Sequence, residues 1–211
     1  MPNNNEQLTE LTGNDVQILA KEILFHGFFK MVKYRFQHRL FAGGWSRPLE
    51  REMLERGDAA AVLPYDPVTD SVVLIEQIRV GALEHSQPWQ LEIVAGMVEV
   101  GESAQAVVQR EAQEEAGIQL HHLEKITAYY PSSGGCSERL VLFVGTVDAS
   151  TAQGVHGLAE EGEDIRVRVM PRAQAYREVE NGRIENGASI IALQWLELNH
   201  QRLQAQWQQA W

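Results

Sequence analysis

The sequence predicts an α/β protein: a sandwich of helices on a mixed β-sheet, preceded by a small N-terminal antiparallel sheet. Two observations support this prediction. The first quarter of the chain alternates apolar and polar residues, which is typical of strands, and the remainder interleaves short apolar runs with helical segments. The composition, with 44% hydrophobic and 22% charged residues in 211, is that of a globular protein with a core.

The N-terminal region, residues 1–56, is predicted to form two or three strands. Residues 1–13 are polar, and we expect them to be loose at the chain end. Alternate residues over 28–40 take opposite faces of a strand, with Phe28 on one face and Phe29 on the other. The sequence Ala-Gly-Gly at 42–44 predicts a turn into a strand over 47–54. A sheet this small rarely stands alone, so we expect it to pack on its own chain or on a partner subunit.

Residues 57–211 carry the predicted sandwich. Two apolar runs, 59–63 and 72–78, are joined by a turn-forming segment that contains Asp66, Pro67 and Asp70, which predicts a hairpin. Further strands are predicted over 90–94, 139–147 and 165–169. Helices are predicted over 103–116, 171–180 and 189–207, the first ending at Gly117 and the second beginning with Pro171.

The charge and the cysteine content restrict the class of function. A net charge of −11 argues against nucleic acid as a partner, because nucleic acid requires clustered lysine and arginine. No apolar run approaches the ~20 residues of a membrane span, and the first residues lack the pattern of a signal peptide. Cys136 is the only cysteine, which indicates a reducing compartment, so we expect a cytoplasmic protein. A phosphate-bearing substrate would need local cations to offset the negative charge.

The helix predicted over 103–116 carries an unusual pair of carboxylates. Glu111 and Glu115 are four residues apart and point into the apolar sector of the helix. Inward carboxylates repel each other and need a cation nearby. We expect Arg110 to pair with Glu114 along the outer edge, which leaves the other two for hard divalent ions. Taken alone, these charges also fit a solvated surface cluster.

The segment around this helix matches a longer pattern. Residues 96–118 fit G-x5-E-x7-R-E-U-x-E-E-x-G-U, where U is apolar, at every fixed position. This pattern is the Nudix box, and the sequence resembles the Nudix hydrolases, in particular the bacterial ADP-ribose pyrophosphatases. The fixed positions are Gly96, Glu102, Arg110, Glu111, Glu114, Glu115 and Gly117.

Motifs outside the box extend this resemblance over nearly the whole chain. They are G-F-F at 27–29, R-E at 51–52, V-L-I-E-Q-I-R at 73–79, S-x-G-G-x-S-E-R at 132–139 and G-x-x-x-E-x-E-D-I-R at 157–166.

The resemblance implies a Nudix-type α/β/α sandwich that splits the pyrophosphate of a nucleoside diphosphate linked to another group. It implies Mg²⁺, or Mn²⁺, as cofactor, with two or three ions per site. The implied metal ligands are the Glu111, Glu115 and Glu163 carboxylates and the Ala95 backbone carbonyl. The implied catalytic base is Glu161, with Glu114 as the next candidate. The acidic loop that holds Glu161 and Glu163 also fits an ordinary polar turn.

The resemblance also implies the residues that hold the substrate. We expect a phosphate contact from Arg79, because an arginine fork suits phosphate oxygens. Phe28 or Phe29 would stack on the adenine. Met97 is a further implied contact, and Ser132 and Glu138 are implied to contact the ribose. The resemblance also implies a homodimer in which three residues reach the nucleotide from the partner subunit: Arg51, Glu52 and Arg56. Alone, these residues are ordinary surface charges or core side chains.

One departure from the family pattern leaves the substrate open. Ser133 stands where family members that act on ADP-ribose carry proline before the two glycines. We expect hydrolysis of ADP-ribose to AMP and ribose 5-phosphate. The alternatives are hydrolysis of another nucleotide sugar, such as a GDP-sugar, and a non-catalytic ADP-ribose sensor. A sensor has no need of a complete set of metal-binding carboxylates, which argues against it.

Overall fold

The computed structural model of the chain describes residues 10–207, without the side chain of Glu161. Most of the N-terminal stretch expected to be loose lies outside the described residues. Within them, the chain divides into two compact units. One comprises residues 10–56 with 132–138, and the other comprises 57–131 with 139–207.

The first unit is built on a three-stranded antiparallel sheet in the order β1-β2-β3. This confirms the predicted small sheet. The predicted turn also forms, since Leu40 N–H donates to the Gly44 carbonyl at 3.0 Å and two glycines there have positive φ. The strands are β1 (Val16–His26), β2 (Lys30–His38) and β3 (Leu49–Glu55).

The strand prediction was wrong for Phe28 and Phe29. Both residues lie in the bend between β1 and β2, where Gly27 N–H donates to the Phe29 carbonyl at 3.0 Å. The two rings therefore do not take opposite faces of a strand. They lie at the tip of a hairpin, where side chains can reach a ligand more easily than from the middle of a sheet.

The second unit contains an eight-stranded sheet with the order β10-β11-β5-β4-β9-β8, with β6 paired to β5 and β7 to β4. β4 and β9 are parallel and the other pairs are antiparallel, which confirms the predicted mixed sheet. The strands are β4 (Ala59–Asp66), β5 (Ser71–Ile78), β6 (Trp89–Glu92), β7 (Val94–Met97), β8 (Leu123–Tyr129), β9 (Leu140–Thr146), β10 (Val155–His156) and β11 (Ile165–Pro171).

Helices cover both faces of this sheet. The buried residues of α1 (Ala104–Ala116) share one core cluster with β4 and β5, and those of α2 (Arg172–Glu180) and α3 (Gly187–Trp207) share the other. The predicted α/β/α sandwich is therefore confirmed. None of the helices within residues 10–207 has the length and apolarity needed to cross a membrane.

The strand predicted over 90–94 is in fact two strands that part at Ile93. The chain pairs with β5 before this residue and with β4 after it. The Ile93 N–H instead donates to the Ser189 hydroxyl at 3.0 Å. The break thus depends on tertiary partners, which the local sequence does not reveal. The strands β8 and β10 were also not predicted.

Candidate active site

The helix α1 is fixed at both ends. The hydroxyl of Ser103 accepts a hydrogen bond from Ala106 N–H at 3.2 Å and caps the start of the helix. Gly117 ends it in the left-handed conformation, with φ of 63°, and its N–H donates to the Gln113 carbonyl. The carboxylates of α1 therefore project from a rigid support.

The side chain of Glu111 lies directly over Gly96 of β7. A Cβ atom built on Gly96 would lie 1.7 Å from Glu111 Oε1 and 2.2 Å from its Cδ. Both distances are far below any non-bonded contact, so the carboxylate can occupy this place only because residue 96 has no side chain. This contact explains the first glycine of the box in physical terms.

Glu115 is almost completely buried, with 3% of its surface exposed. Its Oε2 accepts a hydrogen bond from Ala95 N–H at 3.1 Å, and Gln77 Nε2 lies 3.5 Å from its Oε1. Burial is the main cause that raises the pKa of Glu115 to about 8; the hydrogen bond from Ala95 N–H limits the rise, and the charge of the nearby Glu111 adds to it. Burial likewise raises the pKa of Glu111 to about 6.

Arg110 binds more carboxylates than we expected. Its guanidinium contacts Glu114 at 2.9 Å, as predicted, but also Glu111 at 2.8 Å and both oxygens of Glu102 at 3.2 Å. The prediction that Arg110 leaves Glu111 free was therefore wrong, because the same guanidinium nitrogen, Nη1, contacts both Glu111 and Glu114. Within the described part of the chain, Glu115 has no ion pair.

The late acidic loop is attached to the end of α1. Gly157 N–H donates to the Glu114 carbonyl at 3.2 Å. Glu163 folds back on the loop, and its Oε2 accepts a hydrogen bond from Leu158 N–H at 3.0 Å. The Glu163 charge helps to raise the pKa values of Glu111 and Glu115, so the two acidic elements are neighbours in space. Glu161 ends a 3-10 turn, Ala159–Glu161, in this loop.

This arrangement suits a divalent metal ion. Neighbouring carboxylates, one of them buried without an ion pair among the described residues, are stable as charged groups only with a cation between them. Leaving aside the undescribed Glu161 side chain, no three acidic, histidine or cysteine side chains within residues 10–207 converge as a complete metal cage. The candidate ligands are therefore Glu111 and Glu115, supplemented by the acidic loop and by backbone oxygen.

Arg79 lies at the edge of the carboxylate cluster. It follows β5 directly, and its Nε and Nη2 lie 2.8 Å from Glu92 Oε2. Burial lowers the pKa of Arg79, but the charge and hydrogen bonds of Glu92 outweigh it, and Glu115 and Glu163 raise the pKa further. Met97, the remaining predicted residue of this unit, ends β7 and is partly exposed.

In the first unit, the structure joins three of the predicted substrate residues. The Arg56 guanidinium lies 5.2 Å from the centre of the Phe29 ring and 3.3 Å from the buried Glu138 carboxylate. Phe28 packs edge-on against Phe29 at 4.8 Å and is 86% exposed. An exposed aromatic ring next to a cation and a carboxylate can recognise a base and a sugar hydroxyl.

The other predicted residues of this unit are separate from that cluster. Arg51 and Glu52 are exposed on β3, where Arg51 Nη1 donates to the Glu50 carbonyl at 2.7 Å. Ser132 is exposed at the start of a turn, and its carbonyl accepts hydrogen bonds from Gly135 and Cys136. Within the described part of the chain, the side chains of these three residues do not contact Arg56 or Glu138.

A cavity of about 460 Å³ is lined by none of the carboxylates of the cluster, and it is not the candidate site. Its charged lining residues compensate one another, because Glu76 pairs with both Arg166 and Arg183. Closed ion pairs of this kind leave little net charge to attract a ligand. The other lining residues are Gln87, Trp89, Val155 and Asp164.

Sequence reasoning missed Gln77 and Glu92. Both are buried polar residues in strands that are otherwise apolar, and this pattern was the available signal. Their roles were not visible, because their partners Glu115 and Arg79 become neighbours only through the pairing of β5 with β6 and the packing of α1.

Comparisons with known proteins identify the family of the chain. The model of the NUDIX domain matches residues 55–198. The chain is 56% identical to the ADP-ribose pyrophosphatase of Escherichia coli K12 over 92% of this chain and 93% of that protein. It is 47% identical to the ADP-ribose pyrophosphatase of Haemophilus influenzae over 97% of this chain and 96% of that protein.

More distant relatives share the fold. The GDP-mannose pyrophosphatase of Pectobacterium atrosepticum is 33% identical over 85% of this chain and 92% of that protein. A crystal structure of an ADP compounds hydrolase, 20% identical, superposes with a TM-score of 0.67 over 93% of this chain and 98% of that chain. The family match covers more than half of the chain and includes α1 and its carboxylates, and we conclude that the chain belongs to the Nudix family of hydrolases.

Proposed function

We propose that this enzyme hydrolyses the pyrophosphate bond of ADP-ribose to AMP and ribose 5-phosphate with Mg²⁺ as cofactor. One observation carries the proposal: the Glu111 and Glu115 carboxylates lie side by side against Gly96 and Ala95, in a chain closely similar to proteins named ADP-ribose pyrophosphatases. Two or three ions per site, Mg²⁺ or Mn²⁺, are part of the same proposal.

The proposed reaction assigns a separate role to the metal ions, to a catalytic base and to an arginine. Bound divalent ions supply charge neutralisation of the pyrophosphate and a more acidic water. We assign Glu161 as the base that positions or deprotonates the attacking water, with Glu114 as the alternative. Because Arg110 already occupies the Glu114 carboxylate, Glu161 is the better candidate. Arg79 contacts the phosphates and stabilises developing charge on their oxygens.

We assign recognition of the base and the ribose to residues of the first unit. The exposed Phe28 ring, supported by Phe29, would stack on adenine, and Arg56 with Glu138 would contact ribose hydroxyls and phosphate. Met97 and Ser132 complete the proposed contacts. We propose that Arg51 and Glu52 act on the site of a second subunit, within a cytoplasmic homodimer. Arg56, expected in the same group, is assigned to the site of its own chain because its guanidinium lies 3.3 Å from the Glu138 carboxylate.

A second candidate substrate is a GDP-sugar. It is favoured by the 33% identity to a GDP-mannose pyrophosphatase and by Ser133, which replaces the expected proline. Both substrates share a nucleoside diphosphate linked to a sugar, so they differ in base recognition and not in the metal chemistry.

The test is a substrate panel read by chromatography of the products. ADP-ribose, GDP-mannose, NADH, FAD and dinucleoside polyphosphates are each incubated with Mg²⁺, with Mn²⁺ and with EDTA. We expect ADP-ribose to give AMP and ribose 5-phosphate fastest, and EDTA to abolish the reaction until Mg²⁺ is restored. Full activity in EDTA would contradict the metal mechanism, and the absence of any cleavage would favour the sensor.

A further inference from the structure

The Glu92 carboxylate contacts Arg79 but takes no direct part in the proposed reaction. We propose that Glu92 is a positioning residue, which holds the Arg79 guanidinium toward the pyrophosphate and is itself held by Asn186 and Ser189. This inference rests on the proposed function, in which Arg79 contacts the phosphates.

Arg79 is fixed at both ends of its side chain. Its backbone N–H donates to the Pro88 carbonyl at 2.9 Å, and its Nε and Nη2 contact Glu92 Oε2 at 2.8 Å. A guanidinium is a rigid plane with five N–H donors, so fixing one edge also fixes the direction of the other. Nη1 has no partner among the described side chains, which do not include that of Glu161. It is therefore available to an anionic ligand.

Glu92 is held by a closed ring of hydrogen bonds. Its second oxygen, Oε1, accepts from Asn186 Nδ2 at 3.0 Å. Asn186 Oδ1 accepts from both the N–H and the hydroxyl of Ser189 at 3.1 Å. The Ser189 hydroxyl accepts from the N–H of Ile93, the residue after Glu92, at 3.0 Å. The ring joins the start of α3 to the break between β6 and β7.

The burial of this ring bears on the role of the Glu92 charge. Glu92 is 3% exposed and Ser189 is fully buried, so the carboxylate is removed from water. The Arg79 side chain is 42% exposed, so the ion pair is half-buried, and neither exposed nor buried ion pairs contribute much net stability. Its remaining benefit is orientation, because an arginine already held in place loses less conformational freedom when it binds phosphate.

The central experiment is a double-mutant cycle with Arg79→Ala and Glu92→Gln, assayed on ADP-ribose with Mg²⁺. Glutamine keeps the size of the side chain but weakens its hold on the guanidinium. We expect Arg79→Ala to lower kcat/KM roughly ten- to hundredfold and Glu92→Gln about tenfold, both mainly through KM. Because Glu92 acts through Arg79, we expect the double variant to match Arg79→Ala within about twofold.

The matched control is Glu76→Gln. Glu76 is also a buried carboxylate, lies on the strand that leads to Arg79, and binds two other arginines. We expect it to lower Tm as Glu92→Gln does but to leave KM unchanged. A second readout avoids turnover: calorimetric binding of ADP-ribose in EDTA should weaken in the Arg79 and Glu92 variants and not in the control.

Two outcomes overturn the inference. Losses that multiply in the double variant would show that Glu92 acts independently of Arg79. A Glu92→Gln protein with reduced Tm but normal KM and normal ADP-ribose affinity would show that the ring only supports the fold. In both cases the wild-type rate in the same assay still reports on the proposed function, so the two failures are distinguishable.

Discussion

Changing two glutamates of the proposed site to glutamine is expected to lower activity in different ways, one through metal affinity and the other through kcat. Glu115→Gln should weaken metal binding, since a neutral amide is a poor ligand for a hard cation, and high Mg²⁺ should restore part of the activity. Glu161→Gln should leave Mg²⁺ affinity nearly unchanged and lower kcat by ~10²–10⁴. Mg²⁺ titrations of kcat and KM separate the two effects.

The control for this pair is Glu163→Gln, which changes the same loop at a residue assigned to metal binding. If Glu161→Gln turns over normally and Glu163→Gln is inactive without rescue, the roles of the two residues are reversed. Normal turnover by both variants would move the base elsewhere, with Glu114 as the next residue to test.

The buried carboxylates also predict how the stability of the metal-free protein depends on pH. The folded-state pKa of Glu115, about 8, and that of Glu111, about 6, lie above their ordinary value of 4.5. Their contribution to folding stability is therefore fully present below about pH 4.5 and is lost as the pH rises through these values. We expect Tm in EDTA to fall between about pH 5 and 9, and Mg²⁺ to raise Tm most at the upper end.

Thermal unfolding across this pH range, with and without Mg²⁺, checks the expectation. A Glu115→Gln variant is the control, because it removes the main titrating group and should flatten the metal-free curve. A wild-type Tm that rises steadily with pH in EDTA would contradict the sign.

The inward position of two glutamates of the candidate site could be predicted from the residues alone, but the contacts between the side chains of the site could not. The positions of Glu111 and Glu115 on one inward face follow from helical spacing. The additional contact of Arg110 with Glu111 depends on a side-chain rotamer, and the pairing of Arg79 with Glu92 depends on two strands meeting. Neither property is local, and a single sequence does not contain it.

At the level of elements, the end of α1 connects helix stability to the acidic loop. Gly117 has φ of 63°, and a Cβ there would lie 2.5 Å from His156 Cε1 in β10. Gly117→Ala should cost about 1–2 kcal/mol for the left-handed backbone, and more from displacing His156. Activity should also fall. Gly157, the residue that follows His156, holds the acidic loop to the end of α1 through its hydrogen bond to the Glu114 carbonyl, so a displaced His156 would disturb this contact.

Urea unfolding and kcat measurements test this expectation. The double variant Gly117→Ala with His156→Ala serves as the control, since it removes the steric clash and keeps the backbone strain. We expect it to recover part of the lost stability relative to the single variant. Equal stabilities would show that His156 moves aside at no cost.

Elements bounded by local signals could be predicted closely, and the others could not. The prediction for α1 began one residue early and ended correctly, because Ser103 and Gly117 are local start and stop signals. The division at Ile93 and the edge strand β8 were missed, since both are defined by which neighbouring strand supplies hydrogen bonds. Hydrophobic periodicity carries no information about such partners.

At the level of the whole molecule, we expect a homodimer formed through the first unit. Every residue of β1 is exposed, including Ile18, Ile23 and Phe25, each more than half exposed. An apolar strand of this length at the edge of a small sheet is a liability unless another chain covers it. Light scattering should give twice the mass of the chain, and Ile23→Asp should shift the protein toward monomer.

The control is Val68→Asp, which places the same charge on an exposed apolar residue in the turn of the second unit. It should leave the mass unchanged. A wild-type monomer at concentrations where the enzyme is active would contradict the proposed dimer, and with it the contribution of Arg51 and Glu52 to a neighbouring site.

The parallel pairing of β4 with β9 has a consequence for how the chain acquires its structure during synthesis. Ala59 pairs with Leu140, so β4 cannot pair with β9 until about 80 further residues have been synthesised. Until then, one edge of a strand whose residues are all buried in the folded protein has no hydrogen-bond partner. Such distant pairings slow folding and expose the nascent chain to aggregation. The hairpin of β4 with β5 and the helix α1 are made in this interval, so the carboxylates of α1 are synthesised before the sheet beneath them can close.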